Sequence, residues 1–261
     1  MGKRKRHATQ ASMGVATQDR RDEETRPLES TSERLEVPGI GLLNEKPLHA
    51  SLKAWYAQPG DRFEVPVGGF VIDIVRDDVL LEIQTGSFAS IKSKLAKLLE
   101  SHQIRLIHPI AQEKWIVRLT TGDRPPTRRK SPRRGRVEDV FWNMVSIPQL
   151  ISRHNLSLEV LMIREEEARR YAGRRMWRRR GWVIAERRLL EVVDRRLFDK
   201  PADWLALLPE GFEPFTARDL AEAMGIRLEL AQKMAYSLRE ARLVKLIGRR
   251  GRANLYTAGA E

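Results

Sequence analysis

The sequence predicts an α/β fold: a mixed central sheet flanked by helices, followed by a smaller C-terminal module and preceded by a disordered tail. Three observations predict it. Between residues 44 and 119 the hydrophobic period switches in the order helix, strand, strand, helix, strand, strand. Residues 215–259 read as two short helices joined by a tight turn and followed by a basic hairpin. Residues 1–37 are polar and charged, with almost no apolar periodicity.

Taken in order, the tail opens with "KRKR" at 3–6, either a solvated stretch or a contact to nucleic acid. "NEKPLHASLKAWY" from Asn44 then places Leu48, Leu52 and Trp55 on one helical stripe. Asn44 is a capping residue, and Pro47 is tolerated in a first turn. Glu45 falls on the apolar face of that helix, at the end where the dipole favours an anion. Strands are expected at 67–76 and 79–84, and a helix at 89–100 that buries Phe88, Ile91, Leu95 and Leu98. "IRLIHPI" and "KWIVRL" read as two further strands, 104–110 and 114–119.

Residues 122–136, "GDRPPTRRKSPRRGR", hold seven Lys/Arg, one acid and three Pro. They read as a linker or mobile arm, with Arg128, Arg129 and Lys130 available to a phosphate backbone. Residues 138–153 look helical, 156–163 reads as a strand, and 182–193 as strand or helix. "REEEARR" at 164–170 is expected to be a solvated segment paired with neighbouring Arg. The basic block 169–182 interleaves Tyr171, Trp177 and Trp182, which either stack on bases or pack inward.

The bulk numbers bound the function. The 261 residues carry 48 Lys and Arg against 35 Asp and Glu, a net charge of +13. A polyanionic partner follows, with nucleic acid ahead of membrane. Cys is absent, which excludes disulfides and thiolate metal sites. No apolar run approaches a membrane span, and the N-terminus lacks the apolar segment of a signal peptide, so a cytoplasmic location is expected.

The chemistry concentrates in "GGFVIDIVRDDVLLEIQTGSFASIKSKL", residues 68–95. Side chains alternate along a strand, so Val71, Asp73 and Val75 share one face and Leu80, Glu82 and Gln84 another. With Asp77-Asp78 as a two-residue turn, paired residue numbers sum to 155, and Asp73 falls opposite Glu82, their β-carbons about 4.5–5.5 Å apart. Like charges so placed destabilise a sheet unless a cation intervenes; Mg²⁺ held by one or two carboxylates reverses the sign. The alternative is two half-exposed acids salt-bridged to Arg. Glu45 could add a third carboxylate through a water. Ser87, Lys92 and Lys94 lie at the next helix, whose N-terminus can receive a phosphate. The five His residues are scattered without ligand spacing, His108 standing at a strand end before Pro109.

A helix with Glu45, a strand with Asp73, then "EIQ" at 82–84 and a helix: this order resembles the PD-(D/E)xK nuclease superfamily, particularly its Holliday-junction-resolvase-like branch. The likeness covers about residues 40–120. It implies a restriction-endonuclease-like sheet. Asp73, Glu82 and the carbonyl of Ile83 would hold Mg²⁺ or Mn²⁺, which would activate a water against a phosphodiester. Gln84 stands where most members have Lys, and an amide can orient a water but supplies no charge. The resemblance therefore implies either an endodeoxyribonuclease or an inactive nuclease-fold DNA-binding or regulatory protein.

At 215–259, Thr216 and Asp219 form a capping pair, Leu220, Ala221 and Met224 a core stripe, and Gly225 a stop. The next helix, 228–241, buries Leu230, Ala231, Met234 and Leu238. With "PADWLALLP" (201–209) as a first helix, the segment resembles a winged helix-turn-helix domain. That resemblance implies groove contacts by Gln232, Lys233, Tyr236 and Arg239, and phosphate contacts by Arg249, Arg250 and Arg252. The alternative is a module for dimerisation or for packing on the first domain. The expected organisation is a tail at 1–37, a nuclease-like domain at 38–198 with the basic insertion, and a winged helix at 199–261. Its expected partner is DNA, with a homodimer compatible with both resemblances.

Overall fold

The structure, a computed structural model, describes residues 46–119, 125–173 and 181–259, all within one compact unit of the chain, 39–261. The expected tail and Glu45 lie outside the described residues, as does 174–180 of the second basic block.

Helix α1, Pro47–Tyr56, starts with Pro47 at its first position, where a missing N–H costs nothing. Leu48 and Leu52 are buried as the periodicity requires. Trp55 is not: it is 45% exposed, and Tyr56 closes the stripe one position later. Three antiparallel strands follow, β1 (Arg62–Val67), β2 (Phe70–Arg76) and β3 (Val79–Ile83). β1 was not legible in the sequence because Pro66 and Glu64 interrupt its alternation. As the outermost strand of the sheet it tolerates both. A 3₁₀ turn, Phe88–Ile91, leads into α2, Lys92–Leu98.

The two strands expected at 104–110 and 114–119 are one, β4, Gln103–Leu119, with a register shift between Ala111 and Glu113. Pro109 does not break it, because it lies past the last β3–β4 pair, Ile83↔Ile107, where β4 has an open side. Further along, β5 (Thr127–Lys130), part of the expected arm, pairs with that side. Two short helical turns and α3, Phe141–Met144, lead to β6, Leu156–Tyr171. β6 runs parallel to β4 and antiparallel to β7, Trp182–Phe198. The sheet order is β1-β2-β3-β4-β6-β7, with β5 beside β4.

The expectation that 164–170 is a solvated segment is corrected here. β6 continues through it, and Glu165 and Glu167 are buried. Their pairing with cations, the other half of the expectation, is present, because cationic side chains of β4, β6 and β7 cover them.

The chain then adds α4 (Pro201–Leu205), β8 (Phe215–Thr216), α5 (Ala217–Met224), α6 (Leu228–Glu240), β9 (Val244–Arg250) and β10 (Ala253–Ala258). β8, β10 and β9 make a second, three-stranded sheet. The capping pair forms as expected: Thr216 Oγ1 accepts from the Asp219 amide at 3.2 Å, and Asp219 Oδ2 from the Thr216 amide at 2.8 Å. Gly225 ends α5 in the left-handed region, φ 61°.

Each face of the large sheet has its own core. On one face α1 packs Leu48 and Leu52 against Ile74, Leu81, Ile107 and Leu161. On the other, Phe88, Leu95 and Leu106 belong to an apolar cluster that continues through Phe141 and Trp204 to Leu238 and Tyr256. The sheet and the C-terminal helices therefore share one core, which fixes α6 relative to β4. Among the described residues no helix is long and apolar enough to cross a membrane.

Candidate functional site

The β2–β3 hairpin turns at Asp77-Asp78, with Asp77 at φ 49°. Its pairs are Ile74↔Leu81, Val75↔Leu80 and Arg76↔Val79, each summing to 155. The ladder ends one step short of Asp73 and Glu82, where the Ile83 amide turns to the Asp73 side chain, and the Asp73 charge is felt at Glu82. On the other side, β1 pairs Phe63↔Ile74 and Val65↔Ile72 and leaves out Glu64, whose φ is 52°. The ladder is thus interrupted beside Asp73.

The two carboxylates have different surroundings. Asp73 Oδ2 accepts from the Ile83 amide at 2.8 Å and lies 3.2 Å from His49 Nε2. Burial alone would raise its pKa; the His49 hydrogen bond and charge, the Ile83 amide and the charge of Lys94 outweigh it and hold Asp73 below the usual range. Glu82 Oε1 accepts from Lys94 Nζ at 2.6 Å, while Oε2 is buried with no hydrogen-bond partner. Burial and the Asp73 charge push the Glu82 carboxyl up despite Lys94. Lys94 also donates to the Val71 carbonyl at 2.6 Å. The two carboxyls are thus shifted in opposite directions, Asp73 toward the anion and Glu82 toward the proton.

Gln84 is placed otherwise. Its Nε2 donates to the Ser87 carbonyl and to Ser90 Oγ, at 2.7 and 2.8 Å, locking the loop that starts α2 rather than meeting the carboxylates. Its backbone carbonyl accepts from His108 Nδ1 at 2.6 Å. His108 is wholly buried against Phe88, which lowers its pKa to about 4, so the ring is neutral. A carbonyl only accepts, so Nδ1 holds the proton and Nε2 is the acceptor. Asn143 Nδ2, 3.2 Å away, is its donor.

Two residues that sequence reasoning passed over stand at the acids. His49 reaches Asp73 from α1, and Lys94, read only as a phosphate contact, reaches Glu82 from α2. Among the described residues no group of three or more His, Asp or Glu is arranged to hold a metal ion. Asp73 and the orphaned Glu82 Oε2 offer two oxygen donors of the kind Mg²⁺ takes.

The expected nucleic-acid contacts fall in three places. Lys92 is exposed on α2. On β5, Arg128 pairs with Glu166 at 2.7 Å and Lys130 with Glu113 at 2.7 Å, both over the Trp115 ring, while Arg129 is exposed. On α6, Gln232 and Tyr236 are exposed; Lys233 sits 5.3 Å over Trp142, and Arg239 pairs with Glu240 at 2.6 Å. In the β9–β10 hairpin Arg249 and Arg252 are exposed, and Arg250 pairs with Asp219 at 2.8 Å.

A cleft of about 730 Å³ opens beside Thr85 and His108, on the face of the sheet that carries α3. Arg227 and Glu229, at the start of α6, form part of its far wall. Gly135 forms its rim and lies so close to β4 that a Cβ would stand 2.5 Å from the Ala111 oxygen.

A family model described as "Domain of unknown function (DUF8091)" matches residues 46–199. An uncharacterized protein of Treponema pallidum (strain Nichols) is 29% identical over 220 residues, covering 83% of this chain and 86% of that protein. No solved structure matches.

Proposed function

The chain belongs to the family described as Domain of unknown function (DUF8091), and within the residues that its model covers we propose a DNA-binding, metal-dependent endonuclease that hydrolyses phosphodiester bonds with Mg²⁺ or Mn²⁺. The observation that carries this reading is the pair formed by half-buried Asp73 and buried Glu82, faced by Lys94. Two adjacent carboxylates destabilise the fold that holds them unless cations offset both charges, and Lys94 engages only one oxygen of Glu82. Here one is kept ionised and the other keeps an unpartnered oxygen. A divalent ion bound by both would neutralise the pair, activate a water and stabilise the leaving oxygen.

The order α1, β1, β2, β3, α2, β4, with Asp73 on β2 and Glu82 on β3, supports the likeness to the PD-(D/E)xK superfamily. Lys94, 2.6 Å from Glu82, supports this reading by supplying a cation beside the pair that Gln84 does not. The C-terminal helices and the Arg249–Arg252 hairpin support a winged-helix contact to the duplex.

The test is cleavage of branched, single-stranded and duplex DNA with Mg²⁺ or Mn²⁺, comparing wild type with Asp73→Ala and Glu82→Ala. Metal-dependent cutting that both substitutions abolish is the expected result. A second reading, a nuclease-fold DNA-binding or regulatory protein without activity, is favoured by Gln84, whose amide is committed to Ser87 and Ser90. Salt-dependent DNA binding by all three proteins, with no cutting by any, would establish it.

A further inference from the structure

The cleft beside β4 carries a row of charges that the metal site does not use. Arg187, Glu165, Lys114, Glu167 and Arg169 alternate in sign. Arg187 Nη2 lies 2.5 Å from Glu165, Lys114 Nζ 2.7 Å from Glu165 and 3.0 Å from Glu167, and Arg169 Nη2 2.5 Å from Glu167. The row is sided. The Glu165 and Glu167 side chains are 0% and 3% exposed, whereas the three cations are 27–32% exposed and line the cleft. Three cations over two carboxylates leave one net positive charge, and the layer that a ligand meets is positive.

Such a row is costly as mere structure. Apolar residues of similar volume usually stabilise a buried position as well as an ion-pair network does. What the carboxylates achieve is positional: they fix the Lys and Arg heads before a ligand arrives, so that little ordering remains to be done on binding.

The opposite wall suits a base. Arg227 lies 5.1 Å over the Trp142 ring, and both line the cleft. Beside them Asn143 has its amide oriented by His108, whose tautomer is set by the Gln84 carbonyl. With one Nδ2 hydrogen given to His108, the carbonyl and the second hydrogen of Asn143 remain for a base edge. Arg and aromatic faces stack on bases of any sequence.

We propose that this cleft takes one nucleotide of a DNA strand, its phosphate against Lys114, Arg169 and Arg187 and its base against Trp142, Arg227 and Asn143. The proposal rests on the DNA-binding reading above but not on the cleavage. The volume suits a nucleotide-sized ligand, within the range of about 300–1,000 Å³ usual for such sites. The cleft joins Thr85, three residues beyond Glu82, to the first residues of α6, so a strand entering it would pass both the acids and the helix expected to contact DNA.

The test uses the full chain with oligonucleotides, single-stranded and duplex, carrying 5-iododeoxyuridine. Fluorescence anisotropy reads binding, and ultraviolet crosslinking with peptide mapping reads where the base lies. Crosslinks to the peptide containing Trp142 are expected. Arg169→Ala and Arg133→Glu, the latter at a cleft-lining Arg whose side chain is 69% exposed, should each weaken binding at least tenfold and remove that crosslink, with thermal unfolding confirming that both variants fold. Binding by wild type with crosslinks only elsewhere, and no loss in either variant, would overturn the cleft as a nucleotide site and leave DNA binding standing. No binding of DNA at low salt would overturn both.

Discussion

Lys94 Nζ lies 2.6 Å from Glu82 Oε1, so a cation carried by α2 reaches the carboxylate of a strand twelve residues earlier. Both side chains are nearly buried, 15% and 11% exposed. Gln84, two residues beyond Glu82 on the strand, has its amide turned to Ser87 and Ser90. The cation beside Glu82 therefore comes from the helix and not from the strand.

Lys94→Ala should then lower the rate of metal-dependent DNA cleavage by about 10²-fold or more, the scale of removing one group that stabilises or relays charge in a transition state. Gln84→Ala should cost less than tenfold. Single-turnover rates at saturating DNA separate the two from binding defects. Equal losses in both variants would return the catalytic role to Gln84.

His108 gives a pH prediction. Its folded pKa, about 4, lies below the unfolded value near 6.5. A base whose pKa is depressed by folding contributes stability that is fully present above the unfolded pKa and is lost as pH falls toward the folded one. The loss amounts to about 3 kcal/mol between about pH 6.5 and 4. Urea unfolding across that window should show it, and His108→Leu should flatten the slope. The imidazole resonances of His108 should stay those of a neutral ring, protonated at Nδ1, at pH 5.5.

Much of this was legible locally. The β2–β3 register followed from period-two alternation and a two-residue turn, and the Thr216–Asp219 cap from its spacing. What failed was non-local. Trp55 fits the helical stripe as well as Tyr56 does, and only the angle at which α1 crosses the sheet decides which is buried. That same crossing brings His49 to Asp73, and the packing of α2 brings Lys94 to Glu82. The cleft depends on irregularities that no alternation rule foresees. The register shifts between Ala111 and Glu113 on β4, and again between Arg164 and Glu165 against β7. A one-residue shift exchanges the faces of everything beyond it, so the orientation of Glu165 and Glu167 could not be read from the apolar run that ends at Ile163.

The stripe of α1 yields a direct comparison. Leu52 is 0% exposed among Ile74, Leu81 and Ile107, and Leu52→Ala should destabilise by about 2–5 kcal/mol through lost burial and the cavity left behind. Trp55→Ala, at a site 45% exposed, should cost less than about 1 kcal/mol. Denaturant midpoints at unchanged slope measure both. A larger loss at Trp55 would mean that α1 is rotated from the orientation that places His49 beside Asp73.

The β9–β10 hairpin separates electrostatic contact from sequence reading. A phosphate contact adds roughly 0.9 to the slope of log affinity against log salt. Arg249→Ala and Arg252→Ala should therefore weaken binding on every duplex sequence alike and reduce that slope by about 1 each. Arg250→Ala should do the same with a small loss of thermal stability, since its guanidinium also holds Asp219, which caps α5. Gln232 and Tyr236, exposed on α6 with no charge to release, should alter preference among duplex sequences and leave the salt slope unchanged. An unchanged slope in all three Arg variants would remove the hairpin from the DNA interface and leave α6 and the cleft to account for binding.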